Sequence, residues 1–187
     1  MYWQVYLHKT VLVAEKMMIK ITERVREIYN KNDENLKTGS SVDFFVDGFD
    51  GMMNEKALQQ FIRLDDYDFM HAIKVWSMHK DKVLSTLCMG ILNRKLLKIK
   101  LQAEPFSQEF MQQKLDETCQ KLGLDKDEGA YFVFTGEAVN TMYKTHDERI
   151  NILFKDGQVK DISQVDNALI HKTLSSTVKK FYICYYE

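Results

Sequence analysis

Proline is almost missing from this sequence: Pro105 is the only one in 187 residues, and glycine occurs eight times. Scarce breakers exclude a Pro/Gly-rich linker or a disordered tail, and favour long helices joined by short turns. Cysteine is scarce too. Cys88, Cys119 and Cys184 stand far apart, with no CxxC or CxxH spacing. That excludes a disulfide framework and reads as reduced thiols in a cytoplasmic protein. A surplus of either charge is missing as well: the formal net charge is −1, so no basic field draws the chain to membranes or nucleic acid. Apolar runs such as Tyr131 to Phe134 are too short to span a bilayer. The N-terminus lacks the basic-then-apolar pattern of a secretory signal.

Several chemistries are missing with their motifs. No GxSxG or Cys-His pair in motif context offers a nucleophile, and neither GxxxxGK[ST] nor GxGxxG offers a phosphate loop. Gly48 and Gly51 lie in or beside the acidic stretch Asp43 to Asp50, which repels phosphate and reads as a solvated loop. No internal repeat or low-complexity tract occurs.

What is present is periodicity. Hydrophobic residues make up 45% of the chain, enough for a sizeable core. The first thirty residues read as one long helix ending near Asn30, with Leu7, Val11, Ala14, Met18, Ile21, Val25 and Ile28 as a heptad stripe. A second face carries Tyr2, Tyr6, Lys9, Val13, Lys16 and Lys20. Ser41 to Met53 reads as a packed loop with a short strand at most. Asn54 caps a helix to about Arg63. Asp65 or Asp66 caps another to about His79, with Phe69, Ile73 and Trp76 inward. Asp81 caps a third, with Val83, Leu84, Leu87, Cys88 and Ile91 inward.

Past Arg94 the pattern changes. Leu97, Ile99 and Leu101 alternate with polar residues, as in a strand. Pro105 and Ser107 open a helix that Gly123 closes. Strands follow at Tyr131 to Phe134, Ile150 to Phe154 and Gln158 to Ile162, with Asp156-Gly157 as a type I′ hairpin signal. A helix near Ser163 to His171 and a strand from Val178 to Tyr186 close the chain. The expected fold class is α+β: a helical part over 1–94, then a ferredoxin-like βαββαβ lobe over 95–187.

Candidate sites are few. His146-Asp147 is an HD dipeptide in an expected loop, and His8, His71, His79 and His171 show no ligand spacing with it, so it reads as solvated. Tyr6 and Lys9 share a helix face beside His8, an aromatic–imidazole–ammonium set suited to a sugar-phosphate. The bland alternative is a helix surface with snorkelling lysines. GAYFVF (Gly129 to Phe134) is faintly like an RNA-binding strand, but Glu128 stands where a base is wanted. Residues 96–187 carry 14 acids against 12 bases, so neither RNA nor DNA is expected as a partner.

MYWQVYLHKTVLVAEKM (Met1 to Met17) resembles the helix that follows the metal core in bacterial HD-domain phosphohydrolases, relatives of the deoxynucleoside triphosphate triphosphohydrolases. LDDYDFMHAIKVW (Leu64 to Trp76), GILNRKLLKIKL (Gly90 to Leu101), YFVFTGEAVNTMY (Tyr131 to Tyr143) and INILFKDGQVKDI (Ile150 to Ile162) continue the resemblance in order. It implies a helical core with an α+β lobe, and metal-dependent hydrolysis of nucleotides. It implies substrate-binding roles for Tyr6 over the deoxyribose and for His8 and Lys9 at phosphates, and places Arg94 near a regulatory nucleotide site. The family's metal ligands, a histidine, the HD pair and a later aspartate, all precede this helix. The resemblance therefore implies the C-terminal part of such an enzyme: no cofactor held in this chain, a divalent metal in the full-length family, and no catalysis alone. The alternatives are a stand-alone oligomerisation or regulatory module, or an enzyme with an unrecognised site. The Leu7 to Ile28 stripe, lacking its usual cover, leads us to expect a homo-oligomer through the first helix.

Overall fold

Helix α1 runs from Lys9 to Ile28 in the computed structural model, which describes residues 8–29, 33–140, 150–161 and 178–187. His8 is its cap, accepting the Thr10 N–H at Nδ1. Its buried side chains are Leu12, Val13, Met17, Ile21 and Val25, each contributing roughly 1.5–3 kcal/mol by leaving water. This corrects the expected heptad stripe. Ile21 and Val25 are inside, but Val11 is 52% exposed, and Ala14 and Met18 are half-buried. Leu7 lies outside the described residues. The inward line steps strictly by four from Val13, a residue that the sequence pattern puts on the lysine face. Lys16 and Lys20 permit this: their ammoniums pair with Glu15 and Glu23 while both side chains stay half-buried beside the core.

Short elements follow. A single 3-10 turn, Glu34–Leu36, buries Leu36. Residues of the expected packed loop instead form helix α2, Val42–Val46. The Asp43 carboxylate organises its entry by accepting the Thr38 and Gly39 N–H groups and the Thr38 hydroxyl. Helices α3 (Glu55–Arg63), α4 (Asp66–Trp76) and α5 (Lys82–Leu92) start at the expected caps Asn54, Asp65 and Asp81. Asp65 and Asp68 form a capping box. The helix expected to reach His79 ends at Trp76, whose indole N–H donates to the Leu36 carbonyl at 2.9 Å.

Beyond Arg94, strand β1 (Lys98–Gln102) leads to α6 (Gln108–Leu122), which is capped by Ser107 and stopped by Gly123 at φ 60°. A one-turn helix absent from the sequence reading, α7 (Lys126–Gly129), carries its own Asp125–Glu128 capping box. It corrects the strand expected at Tyr131 to Phe134. The Phe132 and Val133 N–H groups both return to the Gly129 carbonyl, so the chain is still turning there, and β2 spans Phe134–Asn140. Strands β3 (Asn151–Leu153) and β4 (Val159–Asp161) form a hairpin. Its loop is not type I′, which needs two positive φ values. Only Gly157 has one, and Phe154 pairs with Gln158 around three residues. The helix expected at Ser163 to His171 lies outside the described residues.

Strand β5 (Val178–Tyr185) is the centre of a three-stranded antiparallel sheet ordered β1-β5-β2. Register pairs Ile99 with Cys184 and Gly136 with Tyr182. Glycine is required at 136 because a Cβ there would collide with the Tyr182 ring. β1 and β2 run parallel to one another, with α6 crossing between and β5 inserted, a split β-α-β. The β3-β4 hairpin is a separate two-stranded sheet, so the described strands do not build the four-stranded sheet of a ferredoxin-like lobe. The class is α+β. One hydrophobic cluster joins α1, α4 and α5 to Phe132, Ala138, Tyr182 and Cys184 of the sheet region.

Candidate functional site

The start of α1 combines several features that favour an anion. No acidic residue occupies its first turn, and the positive end of a 20-residue helix opens there. His8 and Lys9 are both exposed at that end. Because His8 Nδ1 accepts the Thr10 N–H at 3.3 Å, the neutral ring carries its own hydrogen at Nε2 and can donate outward. The third member of the expected set, Tyr6, lies outside the described residues.

Arg94 sits elsewhere. It follows α5 in a turn where its φ is 56°, the one non-glycine residue with positive φ among those described. Asn93 and Lys95 N–H groups return to the Met89 and Gly90 carbonyls to close this turn. Gly90, beside it, faces Met17 in the middle of α1, and Met17 Sδ accepts the Leu97 N–H at 3.4 Å. Met17 is about 13 Å along the helix axis from His8. Arg94 is therefore held by a different part of the fold from His8 and Lys9.

A second cluster was not foreseen from sequence. Arg24 forks onto Asp81 through Nε and Nη2, at 3.2 and 2.7 Å, and donates to Glu27 at 3.0 Å. Its guanidinium lies 5.4 Å from the Tyr131 ring centre, and Lys20 caps both Tyr131 and Phe134. The Tyr131 hydroxyl donates to Glu27. Hydrogen bonding to Asp81 raises the Arg24 pKa further. Burial alone would raise the Asp81 pKa, but Arg24 and the Leu84 N–H outweigh it and hold the carboxyl low. Burial, then the Glu27 contact, pushes Tyr131 up to about 12. Each charge here already has a partner, so the cluster clasps α1 to α5 and to the turn after α7. The signals for it were the Arg24–Glu27 spacing and the Asp81 cap.

The described histidines do not fit a metal centre. His8 Nδ1 serves its helix cap, and His71 Nε2 meets the Thr38 carbonyl at 3.1 Å. Buried His79 accepts the Asp81 N–H at Nδ1 and meets Asp33 through Nε2 at 3.3 Å. Among the described residues, no group of three or more His, Cys, Asp or Glu side chains is arranged to hold a metal ion. His146, Asp147 and His171 lie outside them. Burial pushes the Cys88 and Cys184 thiols up to about 12, unfavourable for a thiolate ligand or nucleophile. No described helix is long and apolar enough to cross a membrane.

No family model matches the chain. It is 25% identical over 171 residues to the protein YwfO of Bacillus subtilis (strain 168), which takes in 88% of this chain and 37% of that protein. A solved structure of a phosphohydrolase from Bacteroides thetaiotaomicron matches all of this chain and 47% of its own, at a TM-score of 0.83 and 38% identity. This chain thus spans less than half the length of either relative, and over its whole length it is phosphohydrolase-like in sequence and fold.

Proposed function

We propose that this chain is the nucleotide-facing, non-catalytic part of an HD-type metal-dependent nucleotide phosphohydrolase related to the deoxynucleoside triphosphate triphosphohydrolases. The observation that carries the reading is the match of the entire chain to a phosphohydrolase about twice as long. His8 and Lys9 then receive phosphate oxygens at the positive end of α1: the imidazole donates from Nε2, and the ammonium supplies a point charge. The family resemblance assigns Tyr6 to the sugar. Arg94, in its separate turn, serves a second, regulatory nucleotide. The hydrolytic metal belongs to residues other than those described, so no step of the reaction is assigned to this chain. Its own contribution is to bind and orient.

Titration calorimetry of the purified chain with dGTP and dATP tests the binding half of this reading. Weak binding is expected. Lys9→Glu should weaken it about tenfold by replacing an attractive charge with a repulsive one. The exposed Lys80→Glu control should leave it unchanged. Equal affinity for the wild-type chain and the Lys9 variant, or no binding at all, would contradict the assignment.

A further inference from the structure

We propose that α3 pairs antiparallel with α3 of a second copy of this chain, across a two-fold axis near Gln59. This inference does not depend on the hydrolytic reading above. Helix α3 buries only Ala57 within its own chain. Its apolar residues are left outside: Leu58 is 45% exposed, Phe61 55% and Ile62 68%. They fall at i, i+3 and i+4, so they form one stripe. Phe61 touches the half-buried Phe45 with ring centres 6.4 Å apart, which anchors the stripe to the fold beneath. Exposed Met52 and Met53 extend the apolar surface just ahead of the Asn54 cap. A patch of this kind rimmed by polar groups marks an interaction surface.

The charges on α3 select the occupant. Glu55 stands in the first turn and Arg63 in the last. Both are exposed, and neither has an ion-pair partner among the described residues. They are eight residues apart and centred on Gln59. An antiparallel copy turned about Gln59 brings Glu55 of each chain to Arg63 of the other, while the Leu58–Ile62 stripes meet. The same reversal opposes the two helix dipoles favourably. A face that complements itself under a two-fold rotation is what an isologous dimer requires. Helix α1 offers no such match, because its main apolar line is already covered inside the chain.

Sedimentation equilibrium over a wide concentration range tests the pairing. A dimer is expected. Leu58→Glu with Ile62→Glu should weaken it roughly a hundredfold, by placing like charges in an apolar contact. Both positions are exposed, so far-UV circular dichroism should not change. Glu55→Arg or Arg63→Glu alone should each weaken the dimer a few-fold, and the two together should restore it. Gln59→Cys, which alters no apolar contact, should form an intermolecular disulfide on mild oxidation. A monomer at every concentration overturns the proposal. So does a dimer that the Leu58/Ile62 variant leaves intact while Ile19→Glu on α1 abolishes it. A charge swap that fails to restore pairing, or a Gln59→Cys chain that does not cross-link, overturns the antiparallel arrangement.

Discussion

Helix α3 and the β1–β5–α6 surface both bring apolar side chains to water, but only one of them is covered there. On the lobe, Lys100 and Lys114 each lie over both Phe110 and Tyr185, and Lys179 lies over Phe181. Their ammonium heads stay wet while the aromatic faces are screened. On α3, no cation among the described residues lies over Leu58, Phe61 or Ile62, although Lys56 is spent on Phe44 nearby. The difference separates a surface finished for solvent from the one proposed above to pair with a second copy. Of the α1 stripe that prompted the expected association, Ile21 and Val25 are buried, while Val11 is exposed.

Two perturbations sharpen the contrast between the helical region and the lobe. The larger is Trp76→Ala. Trp76 is fully buried and holds Leu36 through its indole N–H, so the change should cost about 3–5 kcal/mol, read as a lower urea midpoint. Since one cluster joins both regions, helix and sheet signals should shift together. A sheet signal that keeps its wild-type midpoint would show that the regions unfold separately.

The smaller effect is at the clasp between them. Tyr131 has its folded pKa raised from 10.0 to about 12, first by burial and then by Glu27. The neutral phenol is the favoured form. Its stabilisation is therefore complete below pH 10 and is lost as pH rises through about 12. Burial raises Tyr182 as well, so ultraviolet titration should show more than one late tyrosine, of which Tyr131→Phe removes one, and that variant should lose less stability between these limits. An unchanged titration curve would remove Tyr131 from the clasp.

Local signals were readable in the sequence. Asn54, Asp65, Asp81 and Ser107 open helices where a short acceptor meets a periodic apolar segment, and Gly123 closes one. Alternation located β1, and the closing strand expected at Val178 to Tyr186 is β5. Features set by distant contacts were not readable. The inward line of α1 depends on which neighbours cover Val13 and Met17, and the sheet order depends on β5 inserting between β1 and β2. Tyr131 to Val133 are as apolar as a strand, but the α7 capping box keeps them turning. For the candidate site, His8 and Lys9 were proposed from spacing and resemblance. The cap that sets the His8 tautomer became visible only with the backbone in place. The Arg24–Asp81 fork joins residues 57 positions apart, beyond any local pattern.

The claim that this chain binds without catalysing is tested most directly by hydrolysis. The purified chain is incubated with dGTP and dATP in the presence of Mn²⁺, and phosphate and triphosphate release are followed. The account predicts release no faster than in buffer containing Mn²⁺ alone. Faster release that a chelator abolishes would contradict it.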